Sequence, residues 1–197
     1  ISHELKTPVG ALALLAETVE SAADDPEAVR HFAAQMNTEA HRLGVLVSEI
    51  IELSRVQSAG ALTDFELVEL DEVIAEAVDG VRVRAEAQDI RVVVAGDTGL
   101  LVFGEEGLLV AAVRNLLDNA ITYSDPHSRV NVGVRSRDGI AEITVIDQGM
   151  GISADDLERV FERFYWVDPA RTRDTGGTGL GLSIVKHVAS EHGGDVS

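Results

Sequence analysis

The chain has 197 residues, 45% of them hydrophobic, which is enough to build a core in one or two domains. Lysine and arginine together number 16 against 34 acidic residues, and the formal charge of −18 indicates no nucleic-acid partner, because phosphate backbones require a basic surface. Cysteine is absent, which excludes disulfides and thiol catalysis. No stretch approaches the roughly 18 apolar residues that a membrane-spanning helix needs.

The first eight residues combine an imidazole, an adjacent carboxylate and a hydroxyl. His3 and Thr7 are four positions apart, so on a helix they lie on one face, with Glu4 beside them. A zinc-protease helix is excluded, because Thr7 stands where the second histidine ligand would be. Two interpretations remain open from the residues alone. His3 is either a surface histidine with a charged neighbour, or a neutral imidazole that attacks phosphorus while a carboxylate manages its proton.

A helical hairpin is predicted for the N-terminal part of the chain. Helical spacing of apolar residues extends from residue 1 to about residue 22, and Pro8 should loosen the turn after the motif. Asp25 caps a second helix, which begins at Pro26 and runs to about Ser58. Its apolar residues recur at heptad spacing, and two helices alone bury too little surface. We therefore expect the hairpin to pair with that of a second copy in a four-helix bundle.

After a linker at residues 57–64, strands alternate with helices. We predict strands at residues 65–69, 90–95, 100–103, 129–137 and 140–147, and helices at residues 71–87, 105–123, 153–163 and 179–192. Asp138-Gly139 predicts a hairpin, and residues 164–178 lack periodicity and are predicted to form a mobile loop. The expected result is an α/β layered domain whose largely antiparallel sheet is covered on one face by helices.

Two polar motifs in this second region are candidate ligand sites. Asn115 and Asn119 lie one turn apart on a predicted helix, and amide oxygens suit Mg²⁺, although such a pair is commonly plain polar surface. Asp147 ends an apolar strand and is followed by Gly149 and Gly151. A buried aspartate there could accept a hydrogen bond from the exocyclic amine of adenine, and the alternative is an ordinary tight turn.

A glycine-rich segment, Gly176 to Gly181, opens the last predicted helix. Unpaired amide hydrogens and the helix dipole favour phosphate at such a position. A dinucleotide-binding fingerprint is excluded because no strand precedes the glycines, and a Walker loop is excluded because Gly-Lys-Ser/Thr is missing. A flexible hinge is the alternative, and both interpretations can hold together.

The His3 motif, the asparagine pair, the Asp147 turn and the glycine-rich segment follow one another along the chain. In this order they resemble the motifs of the transmitter of a two-component sensor histidine kinase. The resemblance rests on an H box at Ser2–Pro8, an N box at Asn115–Ala120, a first glycine box at Asp147–Gly151, an F box at Phe161–Phe164 and a second glycine box at Gly177–Gly181. Within the family, the chain most resembles the actinobacterial phosphate-responsive sensor kinases. The resemblance implies an α+β fold: an antiparallel helical hairpin, half of a dimeric four-helix bundle, followed by an α/β sandwich of the Bergerat (GHKL) type. Residues 1–60 would be the dimerisation and phosphotransfer hairpin, and residues 61–197 a C-terminally truncated ATP-binding domain.

The resemblance also implies an activity for the hairpin. His3 would take the γ-phosphoryl group of ATP, and Glu4 would manage the proton of the imidazole. The phosphoryl group would then pass to an aspartate of a response regulator. Thr7 would orient a water molecule for dephosphorylation of that regulator, unless its hydroxyl merely bonds to its own backbone before Pro8.

ATP and Mg²⁺ are the ligands that the resemblance implies for the second region. Asn119 would ligate the metal, with help from Asn115. The remaining positions would surround the nucleotide, with Asp147 on the adenine amine, Gly149 and Gly151 shaping the pocket, Tyr123 beside the base, and Gly177, Gly179 and Gly181 forming a lid over the phosphates.

Two departures from the family pattern are visible. Thr122 stands where the family often has lysine or arginine, so a phosphate contact must come from elsewhere, with Arg163, Arg171, Arg173 and Lys186 as candidates. The chain also starts close to His3 and ends before the final strand expected of the family. We therefore expect a piece of a longer bacterial protein, the cytoplasmic portion of a membrane-anchored sensor whose membrane segments lie outside this chain.

Two rival functions share parts of the pattern. An ATPase of the gyrase and heat-shock type would place glutamate at position 115 as a base for water, but Asn115 cannot take a proton. A nucleotide-gated scaffold would need no phosphoacceptor, and the intact His3-Glu4 pair argues against it. Phosphorylation of His3 distinguishes all three.

Overall fold

The computed structural model describes residues 2–58, 65–167 and 177–197. The chain divides into two compact units, of which the first contains the N-terminal helices and the second contains the strands and the later helices. The predicted linker falls largely on residues 59–64, outside the described part of the chain. The domain boundary predicted at residue 60 therefore stays a prediction. Among the described helices, none is both long and apolar enough to cross a membrane.

The first unit is the predicted helical hairpin. Helix α1 spans Ser2–Ser21 and continues through Pro8, and helix α2 spans Pro26–Ser58. Asp25 caps α2 as expected, because its Oδ1 accepts hydrogen bonds from the amides of Glu27 and Ala28 at 3.0 and 3.1 Å. The connection between them is short, as in a hairpin of antiparallel helices.

The second unit alternates strands and helices, as the sequence pattern predicts. Its elements in chain order are β1 (Glu66–Glu69), α3 (Leu70–Ala87), β2 (Arg91–Gly96), β3 (Leu101–Gly104), α4 (Glu106–Tyr123), β4 (Arg129–Arg137), β5 (Ile140–Ile146), a 3-10 helix (Arg159–Phe161) and α5 (Gly181–Glu191). The predicted bounds of the strands and of α3, α4 and α5 agree with these to within about two residues.

The described strands form two sheets rather than the single sheet expected. β1 pairs antiparallel with β3, whereas β2, β4 and β5 form the second sheet in the order β2-β4-β5. Within it β2 runs parallel to β4, and β4 and β5 are antiparallel. Asp138 and Gly139 join them with φ of 52° and 80°, the left-handed conformation that a tight hairpin turn requires. The prediction of largely antiparallel pairing is therefore confirmed, and β2–β4 is the exception.

The core of this unit lies between one face of the β2-β4-β5 sheet and the helices. Alternate side chains of β4 point inward, and Val130, Val132 and Val134 are buried against α3 and α4. Each apolar side chain of this size contributes roughly 1.5–3 kcal/mol when fully buried. Helix α4 packs against α3 on one side and against α5 on the other. The second half of α4 is therefore held rigidly, with Leu117 and Ile121 fully buried.

The helix predicted at residues 153–163 is wrong. The chain makes turns there and then only the 3-10 helix. Ser153, the first residue of that predicted helix, donates its hydroxyl to the carboxylate of Asp156 at 2.6 Å. The hydroxyl of Tyr165 donates to the same carboxylate, and Glu162 already has the extended ψ of 146°. The hydrogen bonds from Ser153 and Tyr165 to Asp156 thus stabilise turns in place of the predicted helix. Most of the predicted loop at 164–178 lies at residues 168–176, outside the described range.

Candidate functional site

The predicted phosphoacceptor motif lies at the start of α1. His3, Glu4 and Thr7 all belong to this helix, so the i, i+4 relation of His3 and Thr7 is confirmed for the backbone. Thr7 is exposed, and the next residue, Pro8, is buried. The motif thus starts a helix of the first unit, whereas the predicted asparagine and aspartate positions lie in the second unit.

On the second unit, Asn115 is held in one orientation by the helix that carries it. Its Nδ2 donates to the carbonyl oxygen of Ala111 at 2.9 Å, which directs the acceptor Oδ1 away from the helix. That oxygen lies against Gly181, because a Cβ on Gly181 would come within 2.9 Å of it. Asn119 follows one turn later on α4 and is partly buried. An oriented amide oxygen is therefore placed at the first residue of α5.

Asp118, which none of the sequence predictions singled out, fastens this part of α4 to α3. Arg84 of α3 donates through Nη1 to its Oδ1 at 2.6 Å. Burial raises the pKa of Asp118, and the nearby guanidinium groups of Arg84 and Arg114 oppose that rise. The ion pair holds the two asparagines on a fixed helix without taking part in their site. Its only signal in the sequence is the acidic residue inside the N box.

The end of α4 meets the Asp147–Gly151 turn. Ser124, the residue after α4, forms an isolated antiparallel bridge with Gly149. A Cβ on Gly149 would overlap the carbonyl oxygen of Tyr123 and lie 2.9 Å from Asp147 Oδ1. Only glycine permits this approach, so the structure brings three predicted positions, Tyr123, Asp147 and Gly149, together.

The same turn orients the side chain of Asp147. Its Oδ1 accepts a hydrogen bond from the amide of Gly149 at 2.7 Å, which leaves the other carboxylate oxygen for a ligand. The side chain is exposed, in contrast to the buried aspartate considered from the sequence. The difference arises because β5 ends at Ile146, so Asp147 lies beyond the sheet. Gly151 has φ of 72°, a conformation that favours glycine.

The glycine-rich segment enters α5 between two close neighbours. The amide of Phe164 donates to the carbonyl oxygen of Gly179 at 2.8 Å. Gly179 has φ of 73°, and a Cβ there would lie 2.8 Å from both Phe164 Cα and Trp166 Nε1. Leu180, at the N-cap, has no side chain that can cap amides, so the first amides of α5 suit an anionic ligand. Gly177 is half-buried, and its lid role stays a prediction.

Few cations are described around this segment. Lys186 of α5 places its ammonium group 5.6 Å from the centre of the Phe161 ring, and Arg163 is exposed. Arg171 and Arg173 lie outside the described residues. Across the described parts of the chain, no group of three or more histidine, aspartate or glutamate side chains is arranged to hold a metal ion.

Both halves of the chain match known family models. Residues 1–59 match the His Kinase A (phospho-acceptor) domain. Residues 104–197 match the model of the histidine kinase-, DNA gyrase B- and HSP90-like ATPases. The first match contains the H box, and the second contains the N box and both glycine boxes.

Relatives and solved structures agree with these matches. The chain is 52% identical over 196 residues to the sensor-like histidine kinase SenX3 of Mycolicibacterium smegmatis, covering 100% of this chain and 51% of SenX3. It thus spans about half the length of the curated relatives it matches. The mycobacterial sensor histidine kinase MprB is 40% identical with a TM-score of 0.57, over 66% of this chain and 80% of that one.

A third likeness covers nearly the whole chain. The structure of full-length ShkA in complex with AMPPNP is 25% identical with a TM-score of 0.66, over 96% of this chain and 39% of that one. The fold expected from the motifs, a helical hairpin followed by a GHKL-type α/β domain, is confirmed. Similarity to mycobacterial SenX3 and MprB supports the predicted actinobacterial type. The chain belongs to the sensor histidine kinase family.

Proposed function

We propose that this chain transfers the γ-phosphoryl group of ATP to His3 and then passes it to an aspartate of a response regulator. One observation carries the proposal: a phospho-acceptor match at residues 1–59 and an ATPase match at residues 104–197 occur in one chain. His3 stands in the first match and Asn115 in the second. The acceptor and the nucleotide site of one signalling reaction are thereby present together.

Nucleotide binding is assigned to the second unit. The free oxygen of Asp147 would accept from the adenine amine, with Tyr123 beside the base and Gly149 and Gly151 leaving room for it. The amides at the start of α5, with Gly179 and Gly181, would receive the phosphates. The similar ShkA structure is a complex with AMPPNP, an ATP analogue, which supports a nucleotide in a domain of this fold.

The residues present fit a magnesium ion. The hydrogen bond from Asn115 Nδ2 to the carbonyl oxygen of Ala111 orients Asn115 Oδ1. This oxygen lies next to Gly181, which has no side chain to cover it. Asn119 would be the principal protein ligand, with Asn115 beside it, and phosphate and water would complete the coordination. When bound, Mg²⁺ would neutralise phosphate charge, together with the local cations and amides of a chain whose formal charge is −18.

The bonds that change in the transfer involve His3, Glu4 and the γ-phosphoryl group of ATP. A nitrogen of the His3 imidazole forms a bond to the γ-phosphorus while the bond between that phosphorus and the bridging oxygen of ADP breaks. Glu4 takes up the imidazole proton, so the nucleophile stays neutral as it attacks. Hydrolysis instead of transfer is disfavoured, because Asn115 stands where a base for water would be needed and an amide cannot accept that proton.

Dimerisation is the second part of the proposal. The hairpin leaves large apolar side chains exposed on both helices, namely Val9, Leu14, Val47 and Ile51. An isolated pair of helices buries little apolar surface, and a second hairpin would cover these residues in a four-helix bundle. The match to a phospho-acceptor domain supports the same arrangement. Sedimentation equilibrium should give twice the chain mass, and a monomer at micromolar concentration would contradict it.

Thr7 supports an additional activity, the dephosphorylation of the regulator. It is exposed and lies one helical turn from His3, so its hydroxyl can orient water on the surface that donates the phosphoryl group. Thr7→Ala should keep autophosphorylation and slow the loss of phosphate from the purified regulator. If that loss continues at the unmutated rate, Thr7 serves the helix before Pro8 and nothing else.

The setting of this reaction is proposed from the relatives. Since they are named sensor kinases and are about twice as long, we propose that this chain is the cytoplasmic portion of a membrane-anchored sensor. A response to phosphate is proposed on the actinobacterial resemblance.

The decisive test of the chemistry is incubation with γ-labelled ATP and Mg²⁺. Label on the protein should survive base and be lost in acid, and acid-stable label would exclude phosphohistidine.

A further inference from the structure

Phe164 has a backbone conformation that its side chain disfavours. Its φ is 62°, in the left-handed region that costs free energy for any residue with a Cβ. The residue keeps this conformation because it is tied down, since its amide donates to the carbonyl oxygen of Gly179 at 2.8 Å. A bulky residue held in this region indicates that the surrounding structure requires its backbone geometry.

Gly179 fits this partner from the other side. Its φ of 73° is also left-handed, and a Cβ there would lie 2.8 Å from Phe164 Cα and from Trp166 Nε1. The backbone of Phe164 cannot move aside at low cost, because its amide is hydrogen-bonded to Gly179. The position therefore excludes every residue except glycine.

Two residues later, the same segment touches the asparagine site. Gly181 begins α5, and a Cβ on it would lie 2.9 Å from Asn115 Oδ1. Between these contacts, Leu180 is fully buried. Residues 179–181 thus contact Phe164 and Trp166 through Gly179 and Asn115 through Gly181.

We propose that Phe164 and Gly179 form a backbone clasp that positions the first amides of α5 against Asn115 for the phosphates of the nucleotide. Phe164 is in this sense a positioning residue, which acts through Gly179 and touches no reacting atom. The inference rests on the nucleotide site of the proposed function. It predicts a selective effect, because the clasp adjoins the phosphate side, whereas Asp147 and Gly149 define the base side.

Gly179→Ala tests the clasp, with Gly139→Ala as its matched control. Gly139 also has a left-handed φ, of 80°, but nothing lies within 4 Å of its added Cβ. Affinity is measured for Mg·AMPPNP by calorimetry and for adenosine, which lacks phosphates, by NMR titration. Gly179→Ala should weaken Mg·AMPPNP by about tenfold or more, a loss of about 1.4 kcal/mol, and change adenosine affinity by less than about twofold. The control should bind both normally.

Trp166 supplies an independent signal, because it is the single tryptophan of the chain. Since its Nε1 lies at the position that a Gly179 side chain would enter, Gly179→Ala should shift the tryptophan emission without nucleotide. Gly139→Ala should leave the emission unchanged. An unchanged emission of Gly179→Ala would show that the added Cβ does not press on the indole and would contradict the close contact.

A second pair of variants separates the backbone of Phe164 from its ring. Phe164→Gly and Phe164→Pro both lack the ring, but glycine adopts the left-handed φ freely and keeps the amide donor. Proline fixes φ at about −65° and has no N–H. Phe164→Gly should bind Mg·AMPPNP within about threefold of the unmutated protein, and Phe164→Pro should lose about tenfold or more.

Several results would overturn the clasp. Normal Mg·AMPPNP binding by Gly179→Ala is one, and equal losses of adenosine and Mg·AMPPNP is another, because that pattern means general damage. Equal losses in Phe164→Gly and Phe164→Pro would assign the effect to the ring instead, and normal affinity in both would show that Phe164 does not position the amides. If the unmutated protein binds neither adenosine nor Mg·AMPPNP, the proposed function fails first and the clasp falls with it.

Discussion

Gly149 lies so close to Tyr123 that a methyl group in place of its hydrogen would overlap the Tyr123 carbonyl oxygen. The bridge from Ser124 to Gly149 maintains this approach, and the amide of Gly149 also donates to Asp147 Oδ1 at 2.7 Å. One glycine therefore joins the end of α4 to the carboxylate proposed to recognise adenine.

Gly149→Ala should accordingly destabilise the second unit and weaken adenosine binding. Crowding of this kind costs about 1–3 kcal/mol, because the backbone of Tyr123 must move. The free energy of unfolding is measured in urea, and adenosine affinity by NMR titration. Gly133→Ala is the control, since the nearest atom to its added Cβ, Thr144 Cβ, is 3.8 Å away. Equal stability of the two variants would mean that the close approach imposes no constraint.

Asp147→Asn should remove the preference for adenine. In the variant, the amide oxygen can still accept from Gly149, which turns the Nδ2 donor toward the adenine amine, also a donor. Hydrogen bonds to charged groups contribute about 1.5–3 kcal/mol, so ATP affinity should fall roughly ten- to hundredfold. Inosine triphosphate has a carbonyl in place of the amine and should bind the variant better than ATP. Calorimetry with both nucleotides checks this, and an unchanged preference for ATP would contradict the assignment.

Asn119→Ala should abolish the magnesium dependence of ATP binding. Because Asn119 is the proposed metal ligand, the affinity measured with Mg²⁺ should fall to the value measured in EDTA, and the affinity in EDTA should stay the same. Asn131→Ala is a control on β4, outside the proposed site. Calorimetric titrations of ATP with and without Mg²⁺ supply the comparison. If Asn119→Ala still gains ATP affinity from Mg²⁺, another residue must be the metal ligand.

Most of the fold could be read from periodicity and turn residues. Alternation predicted β4 and β5 around Asp138-Gly139, and helical spacing predicted α4, because in both cases local pattern and tertiary packing favour the same structure. The prediction of a helix after Ser153 was wrong, and residue spacing could not have shown why. Ser153 and Tyr165 both donate to one carboxylate, that of Asp156, and Tyr165 lies nine residues after Asp156, beyond the end of the predicted helix.

The site was predictable in its members and not in its contacts. The motifs named Asn115, Gly179 and Gly181 through a resemblance, and the structure shows that Asn115 and Gly181 touch. Phe164 belongs to the F box, but its contact with Gly179 has no signal in the sequence, since a left-handed φ at a phenylalanine is set by long-range packing. Trp166, the other neighbour of Gly179, lies in none of the motifs. Arg84 likewise escaped notice, because its ion pair with Asp118 spans 34 positions.

The pKa of Asp156 offers a test of the turn that replaced the predicted helix. Hydrogen bonds from Ser153 and then from Tyr165 lower the pKa of Asp156, and the same bond to Asp156 raises the pKa of Tyr165. Because the folded pKa of Asp156 is depressed, its ionisation favours the fold above the ordinary value of about 3.9. That contribution is lost as pH falls through the folded pKa.

Ser153→Ala should therefore raise the Asp156 pKa toward its ordinary value, as measured by NMR titration of the carboxyl carbon. The stability difference from the unmutated protein should be present at neutral pH and shrink in acid below about pH 3.9. Ser136→Ala, at an exposed serine of β4, is the control. A pKa that stays depressed without the Ser153 hydroxyl would show that another group stabilises the carboxylate.

The central claim is that His3 accepts the phosphoryl group from a nucleotide bound to the other unit. The most direct measurement compares the unmutated chain with His3→Gln in two assays, label incorporation from γ-labelled ATP with Mg²⁺ and ATP binding by calorimetry. Since the acceptor and the nucleotide residues belong to different units, His3→Gln should bind ATP with unchanged affinity and take up no base-stable, acid-labile label. Equal labelling of the two proteins would contradict the claim.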